Sequence, residues 1–403
     1  MNDKFIWPKG SKAIITLLTI TTLALPSAFA EDGNEQESDV ILQFSTVGDS
    51  RQDPATPDPT LAPLSGQDAI WLQSTKAWSR IIDSINAQES QLLFFNGDMI
   101  MGYGKAAAPA DNSIDTVVNS DLMKFYRQYG FWRGMVAGLM EKGTYVVPVA
   151  GNHEVQSKPL GKKAQLENEN AWRANMSDLI LDNQRFMNLF GMLPANASVG
   201  DNRTTAPAGD GPAGATLTTD QSKLSYSFDF QGSHFVGINT DPVGNDSHAP
   251  ANWLASDLEA AKNRGLQRNF VFGHKPAFTY YYGSVIPALP DLPLPGKPSG
   301  LDVDLAARDA FWDVIEQYKA TYFCGHEHIF NMSQPRGHAW QILVGSGGSP
   351  FEAAPTDATI SPTDRYYAWA TVKIYKNGKV KITAYGFNDQ FGATHTLQSV
   401  TLH

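Results

Sequence analysis

YFCGHEHIF, residues 322–330, sets two histidines two positions apart, directly behind a run that reads as a buried strand. Along an extended segment, side chains two apart face the same side. His326 and His328 are therefore expected to point one way and Glu327 the other, a geometry that suits two imidazoles reaching neighbouring metal ions. Gly325 before them lets the backbone turn sharply or approach another segment closely. The same design recurs at VGDSR (47–51), NGDMI (96–100), AGNHE (150–154) and FGHKP (272–276). Each ends an apolar run, and each puts a glycine directly before a side chain able to bind a metal.

The runs around these corners define the architecture. VILQFSTV, LLFF and YVVPV read as three strands, over 40–47, 92–95 and 145–149. Trp78, Ile81, Ile82 and Ile85 follow the i, i+3, i+4, i+7 spacing, so a helix is expected over 68–87, and a second over 121–141. Strand, helix, strand, helix, strand is an α/β pattern with crossover connections. Ligands of open α/β sheets sit beyond the carboxyl ends of the strands, which points three separate corners at one site. Farther on, Leu224, Tyr226, Phe228 and Phe230 alternate with polar residues and predict a half-buried strand, with 234–239 as its partner. Helices are expected near 253–261 and 305–318, and Asn377-Gly378 marks a hairpin between 372–375 and 380–384. Residues 194–220 and 280–298 read as surface insertions. No repeat or clean linker appears, so 40–403 is expected to be one large domain. His234 is expected in the core or at a strand edge. His248, His338, His395 and His403 show no motif and are expected at the surface.

Composition narrows the class. The chain has 403 residues, 42% hydrophobic and 11% aromatic, enough for a sizeable core. A net charge of -10 argues against nucleic acid as a stable partner. Residues 1–30 have the order of an export signal: Lys4, Lys9 and Lys12, a largely apolar 13–25, then Ala28-Phe29-Ala30 as a cleavage site. The apolar run is too short to read as a membrane span. Residues 31–39 are a polar lead-in. Cys324 is the single cysteine, which excludes an internal disulfide and leaves no acceptor for a lipid anchor after the cleavage site. The expected location is periplasmic or secreted.

In order, the five corners resemble the calcineurin-like metallophosphoesterases, which share a core with purple acid phosphatases. The family pattern is D-x-H, G-D-x-x-D, G-N-H-D/E, G-H and G-H-x-H, and the resemblance runs over about 40–349. It implies an α/β four-layer sandwich of two mixed β-sheets flanked by helices. Carried over, Asp98 matches the carboxylate that bridges two metals. Asn152, His274 and His326 match ligands of one ion; Asp49 and His328 match ligands of the other. His153 matches the histidine that touches the substrate phosphate and protonates the leaving oxygen. Carboxylate, amide oxygen and imidazole suit Zn, Mn or Fe. Two such ions roughly 3.5–4 Å apart clamp a phosphate and activate a water. The implied activity is hydrolysis of a small phosphate mono- or diester.

Two positions depart from that pattern. Arg51 stands where the family has a metal-binding histidine, and arginine does not ligate metal. The site of Asp49 and His328 is thus expected to be incomplete or finished by water. Arg51 is read either as a clamp on the substrate phosphate through its planar fork or as the partner of a nearby acid. Met101 replaces the second aspartate of G-D-x-x-D, which orients the histidine in the family. Asp53, Glu154 or a backbone carbonyl are the available substitutes. Tyr103 is expected to pack or line the substrate mouth, with Tyr280, Tyr281 and Tyr282 as further candidates for that mouth. These departures also support a rival reading, a phosphate-binding protein with weak or no catalysis. A zinc peptidase is disfavoured, because H-E-x-x-H is missing.

Overall fold

The structure, a computed structural model, describes residues 39–53, 71–198, 219–280, 298–352 and 362–402. The leader at 1–30, most of the lead-in, Tyr281, Tyr282, His403 and the larger parts of both insertions lie outside the described residues. In chain order the strands are β1 (Val40–Val47), β2 (Leu92–Asn96), β3 (Tyr145–Val149), β4 (Gln156–Ser157), β5 (Lys163–Ala164), β6 (Ala195–Ser198), β7 (Tyr226–Phe230), β8 (Ser233–Gly237), β9 (Arg268–Phe272), β10 (Thr321–Cys324), β11 (Phe330–Ser333), β12 (Gln341–Val344), β13 (Tyr366–Tyr375), β14 (Val380–Asn388) and β15 (His395–Leu402). The helices are α1 (Trp71–Ala87), α2 (Ile114–Asn119), α3 (Asp121–Glu141), α4 (Asn152–Val155), α5 (Leu166–Met176), α6 (Asn183–Phe190), α7 (Ala251–Asn263) and α8 (Leu305–Gln317).

Two large mixed sheets carry the fold. One has the order β15-β14-β13-β1-β2-β3, the other β11-β12-β10-β9-β8-β7-β6. β1, β2 and β3 run parallel, as do β8, β9, β10 and β12. The outer strands are antiparallel. The period of two along β2 decides which residue faces which layer. Phe94 turns between the sheets and stacks on Phe272 with ring centroids 3.8 Å apart. Phe95 turns outward and meets Trp78 of α1 and Trp132 of α3, each at 5.1 Å. Phe44 stands edge-on to Phe235, Phe270 and Phe323 of the second sheet. Leu254 and Leu258 of α7 and Phe311, Trp312 and Ile315 of α8 cover that sheet's other face, over Val236, Val271 and Tyr322. Helix, sheet, sheet, helix is the four-layer α/β sandwich that the resemblance implied.

Three expectations need correction. β7 is not half-buried: all five residues are buried. α7 covers its polar face, where Ser227 Oγ donates to Asp257 and Asp229 meets both Arg264 at the end of α7 and His234 of the neighbouring β8. His234 is accordingly fully buried in the core. His248 is buried, not at the surface; its Nδ1 is 2.9 Å from the Asp246 carbonyl and its Nε2 3.3 Å from Asp304. The insertion at 194–220 begins as β6, which pairs with β7. His338 and His395 are exposed as expected.

Candidate metal centre

Because β1, β2, β3, β9 and β10 share a direction within each sheet, their following corners meet at one end of the sandwich. Contacts there cross between the sheets. Gly48 N–H donates to the Val344 carbonyl at 2.9 Å, and the Asn96 carbonyl lies 2.8 Å from His274 Nδ1. The glycines act chiefly through close approach. A Cβ on Gly325 would stand 2.1 Å from Asp49 Oδ2, and one on Gly151 would stand 2.4 Å from the Asp98 nitrogen. The left-handed backbone falls instead on functional residues: Asp49 at φ 62, Arg51 at φ 41, Asp98 at φ 53 and His326 at φ 74. Such positions cost about 1–3 kcal/mol each and persist where surrounding structure fixes them. Here Asp49 N–H donates to the Gly97 carbonyl and Asp98 N–H to Glu154, at 2.9 and 2.8 Å. His326 and His328 are separated by this bend, not by the pleat of an extended segment as expected.

The bend sends the two imidazoles to different partners. His326 Nδ1 lies 2.8 Å from Asn152 Oδ1 and 3.2 Å from His274 Nε2. His274 Nε2 is 2.8 Å from the same Asn152 oxygen and 3.2 Å from Asp98 Oδ1. His328 Nε2 instead faces Asp49 Oδ1 at 3.7 Å, and neither atom has a hydrogen-bond partner. Donor atoms of Asp49, Asp98 and His274 lie within 4.8 Å of one another. The structure thus brings together all six residues expected as ligands.

Tautomers test whether cations fit. His274 Nδ1–H donates to the Asn96 carbonyl, and His328 Nδ1–H to the Pro350 carbonyl at 2.7 Å. That leaves each Nε2 with a bare lone pair aimed inward, the usual arrangement of a metal-ligating histidine whose other nitrogen donates to a carbonyl. Asn152 Nδ2 donates to the Tyr103 hydroxyl, which turns Oδ1 to the same point. Lone pairs of Asn152, His274 and Asp98 therefore converge on one point, and His326 Nδ1 joins them in the tautomer that carries its proton on Nε2. A cation there satisfies all four, so the donor set fits a metal. Burial, with the Asp98 charge beside it, pushes Asp49 well up. Burial would raise Asp98 too, but His153, His274 and Arg51 outweigh it and hold Asp98 well below the usual carboxylate range.

His153 sits beside this cluster. Its backbone N–H donates to Asp98 Oδ1 at 3.0 Å, and its ring lies 3.8 Å from that of Tyr103. Nδ1–H donates to the Met101 carbonyl at 2.5 Å, so a backbone carbonyl orients the ring in place of the missing aspartate. Nε2 is left unpartnered, 3.6 Å from Asp98 Oδ2. Burial, then the Arg51 charge, pushes the His153 pKa down to about 3. Glu154 has another task. It accepts the backbone N–H groups of Asp98, Gly151 and Ile100 and locks two corners together. Burial, then Asp98, pushes its carboxyl up to about 8. Arg51 Nη2 reaches Asp98 Oδ2 at 3.4 Å with the side chain 21% exposed. That contact is the acid pairing that was one of its two expected roles. The contributions of Asn96, Pro350 and Tyr103 were not read from sequence. The first two act through backbone carbonyls, which leave no residue signature.

The sequence matches the calcineurin-like phosphoesterase family over residues 71–330. No curated protein sequence matches. Among solved structures, a purple acid phosphatase from yellow lupin (Lupinus luteus) seeds superposes with a TM-score of 0.54 at 12% identity, over 89% of this chain and 53% of that one. The chain thus spans about half the length of that phosphatase. A dimetal phosphatase from Danio rerio aligns over 89% of this chain and 99% of its own, with a TM-score of 0.41 and 13% identity.

Proposed function

The chain belongs to the calcineurin-like phosphoesterase family, and on that footing we propose that it is a metal-dependent hydrolase of small phosphate mono- or diesters. The observation that carries this reading is the convergence of the lone pairs of Asn152, His274 and Asp98, with Asp49 Oδ1 and His328 Nε2 facing each other without hydrogen-bond partners beside them. Asp98, Asn152, His274 and His326 would hold one cation, Asp49 and His328 a second, as Zn, Mn or Fe. Cations bound there supply charge to clamp the phosphate oxygens and to activate a water for direct attack. Asp98 stays ionised between the two groups of donors. His153, fixed in one tautomer, presents Nε2 as the atom that carries a proton to the departing oxygen. The phosphoryl charge of a bound substrate opposes the downward push on its pKa. The corners that hold these groups are braced by Glu154, so little reorganises as charge develops.

Arg51 favours the rival reading, a phosphate-binding protein, because it occupies an oxygen of Asp98 that a second cation would share. Metal analysis with turnover of an aryl phosphate and its diester, under added Zn, Mn or Fe, separates the two. The hydrolase reading expects turnover that stops on chelation; phosphate binding without turnover under any of the metals overturns it. Arg51→His tests the clamp role of Arg51, which expects phosphate affinity to fall; a gain in bound metal with unchanged affinity contradicts it. Residues 1–30 are proposed to direct export and to be removed, with Glu31 as the new start. N-terminal sequencing of protein recovered from outside the cytoplasm checks this, and an intact Met1 there contradicts it.

A further inference from the structure

Lys275 follows His274 directly, yet its side chain is turned away from the metal centre and buried. Its Nζ donates to Asp241 Oδ1 at 2.6 Å and to Ser247 Oγ at 2.7 Å. Asp241, also buried, accepts on that same oxygen from Gln156 Nε2 at 3.0 Å and from Ser247 N–H at 2.9 Å. Gln156 closes α4, whose first two residues are Asn152 and His153, and its own N–H donates to the Asn152 carbonyl. One carboxylate oxygen therefore joins the loop of His274 to the helix of Asn152. The network continues to the remaining corners. Asn168 Nδ2 donates to the carbonyls of Gln156 and Gly104, both at 3.0 Å, and its Oδ1 accepts from Ala106 N–H, which braces the loop of Tyr103. Tyr322 of β10 donates its hydroxyl to the Lys275 carbonyl at 2.6 Å, and Gly325 N–H donates to the His274 carbonyl at 2.9 Å, which ties in the corner of His326.

We propose that Asp241, Lys275 and Gln156 are positioning residues, a buried polar bracket that sets the spacing between Asn152 and His274. This rests on the proposed function above and deepens it. The physical argument concerns alternatives. A buried ion pair is seldom the most stable filling for a core site, because apolar side chains of similar volume are often as good or better. What it supplies is direction: three donors on one oxygen admit a narrow range of loop positions. Asn152 Oδ1 and His274 Nε2 stand 2.8 Å apart and belong to segments far separated in sequence. The Asn96 carbonyl holds the His274 ring from the side of β2 and β3, and the bracket is a second tie that fixes the His274 loop against α4 from the other side. Outer partners of metal ligands typically change metal affinity by about 10–100-fold when removed.

The test uses the full chain, stripped of metal and titrated with Zn or Mn in a calorimeter, with thermal melts alongside. Gln156→Ala removes one arm of the bracket and leaves the ion pair. The double variant Lys275→Met with Asp241→Leu replaces the pair by apolar groups. Both are expected to bind metal about 10–100-fold more weakly than the unaltered chain, and Gln156→Glu is not expected to restore affinity, since it faces Asp241 with a like charge. Lys275→Arg, which keeps a donor to Asp241, is expected to recover part of the loss. A double variant that does not fold leaves Gln156→Ala to decide. Affinities within twofold of the unaltered chain, whatever the melting temperatures, would reduce the network to a stability element and overturn this inference alone. An unaltered chain that takes up no metal would overturn the proposed function as well.

Discussion

His153 shows how a missing residue is replaced by the main chain. With Met101 where an aspartate was expected, its ring keeps one tautomer through the Met101 carbonyl and presents Nε2 to the pocket. If that nitrogen delivers the proton, the loss on substitution depends on the leaving group. His153→Asn is predicted to slow hydrolysis of an alkyl phosphate about 10²–10⁴-fold. A nitrophenyl ester, whose leaving oxygen needs little help, should be far less affected, and bound metal should be unchanged. Equal losses on both esters, or loss of metal, would remove the proton-carrying role. Five of the six candidate ligands were legible because each stands directly behind a glycine at the end of an apolar run, and His328 because it follows His326 by two. Asp241, Lys275 and Gln156 were not, because isolated polar residues carry no pattern until the fold brings them together.

Elements explain which glycines matter. Gly325 follows β10, and a Cβ there would collide with Asp49, whereas Gly134 lies on the exposed face of α3 with open space around it. Gly325→Ala is predicted to displace Asp49, lower the melting temperature and weaken metal binding. Gly134→Ala is predicted to stabilise by about 1 kcal/mol, the difference in helix propensity. Denaturant unfolding checks both; a neutral Gly325→Ala would contradict the close approach. β7 and β8 supply a pH-dependent term. Burial would lower the His234 pKa, but hydrogen bonds to Asp229 and Asp257 outweigh it and hold it above the ordinary value. A raised folded pKa stabilises fully below the unfolded value of about 6.5 and is lost as pH rises through the folded one. Arg264 and Asn196 also contact Asp229, and Ser227 contacts Asp257. The melting temperature of the unaltered chain should therefore exceed that of His234→Asn by more at pH 6 than at pH 9. A gap independent of pH would show that His234 folds neutral. Sequence alternation along β7 hid this cluster: polar residues there face a covering helix, not solvent.

At the scale of the molecule, the order of the strands does what no single corner can. β1, β2 and β3 bring Asp49, Asp98 and Asn152 to one end of the first sheet, and β9 and β10 bring His274 and His326 to the same end of the second. The parallel run of strands was readable from the alternation of apolar runs and helices. The closure of two sheets over Phe44 and Phe94 came only from the family resemblance, because a stack of aromatic side chains leaves no periodic trace beyond each strand. Removing metal should then loosen the end of the sandwich where the sheets meet through these side chains, and a chelator is predicted to lower the melting temperature. The most direct measurement is a crystal structure of the metal-loaded protein with anomalous scattering at the metal edge. Two peaks about 3.5–4 Å apart are predicted, with Asp98 between them, Asn152, His274 and His326 on one and Asp49 and His328 on the other. Peaks elsewhere, or none with the metal in excess, would contradict the account.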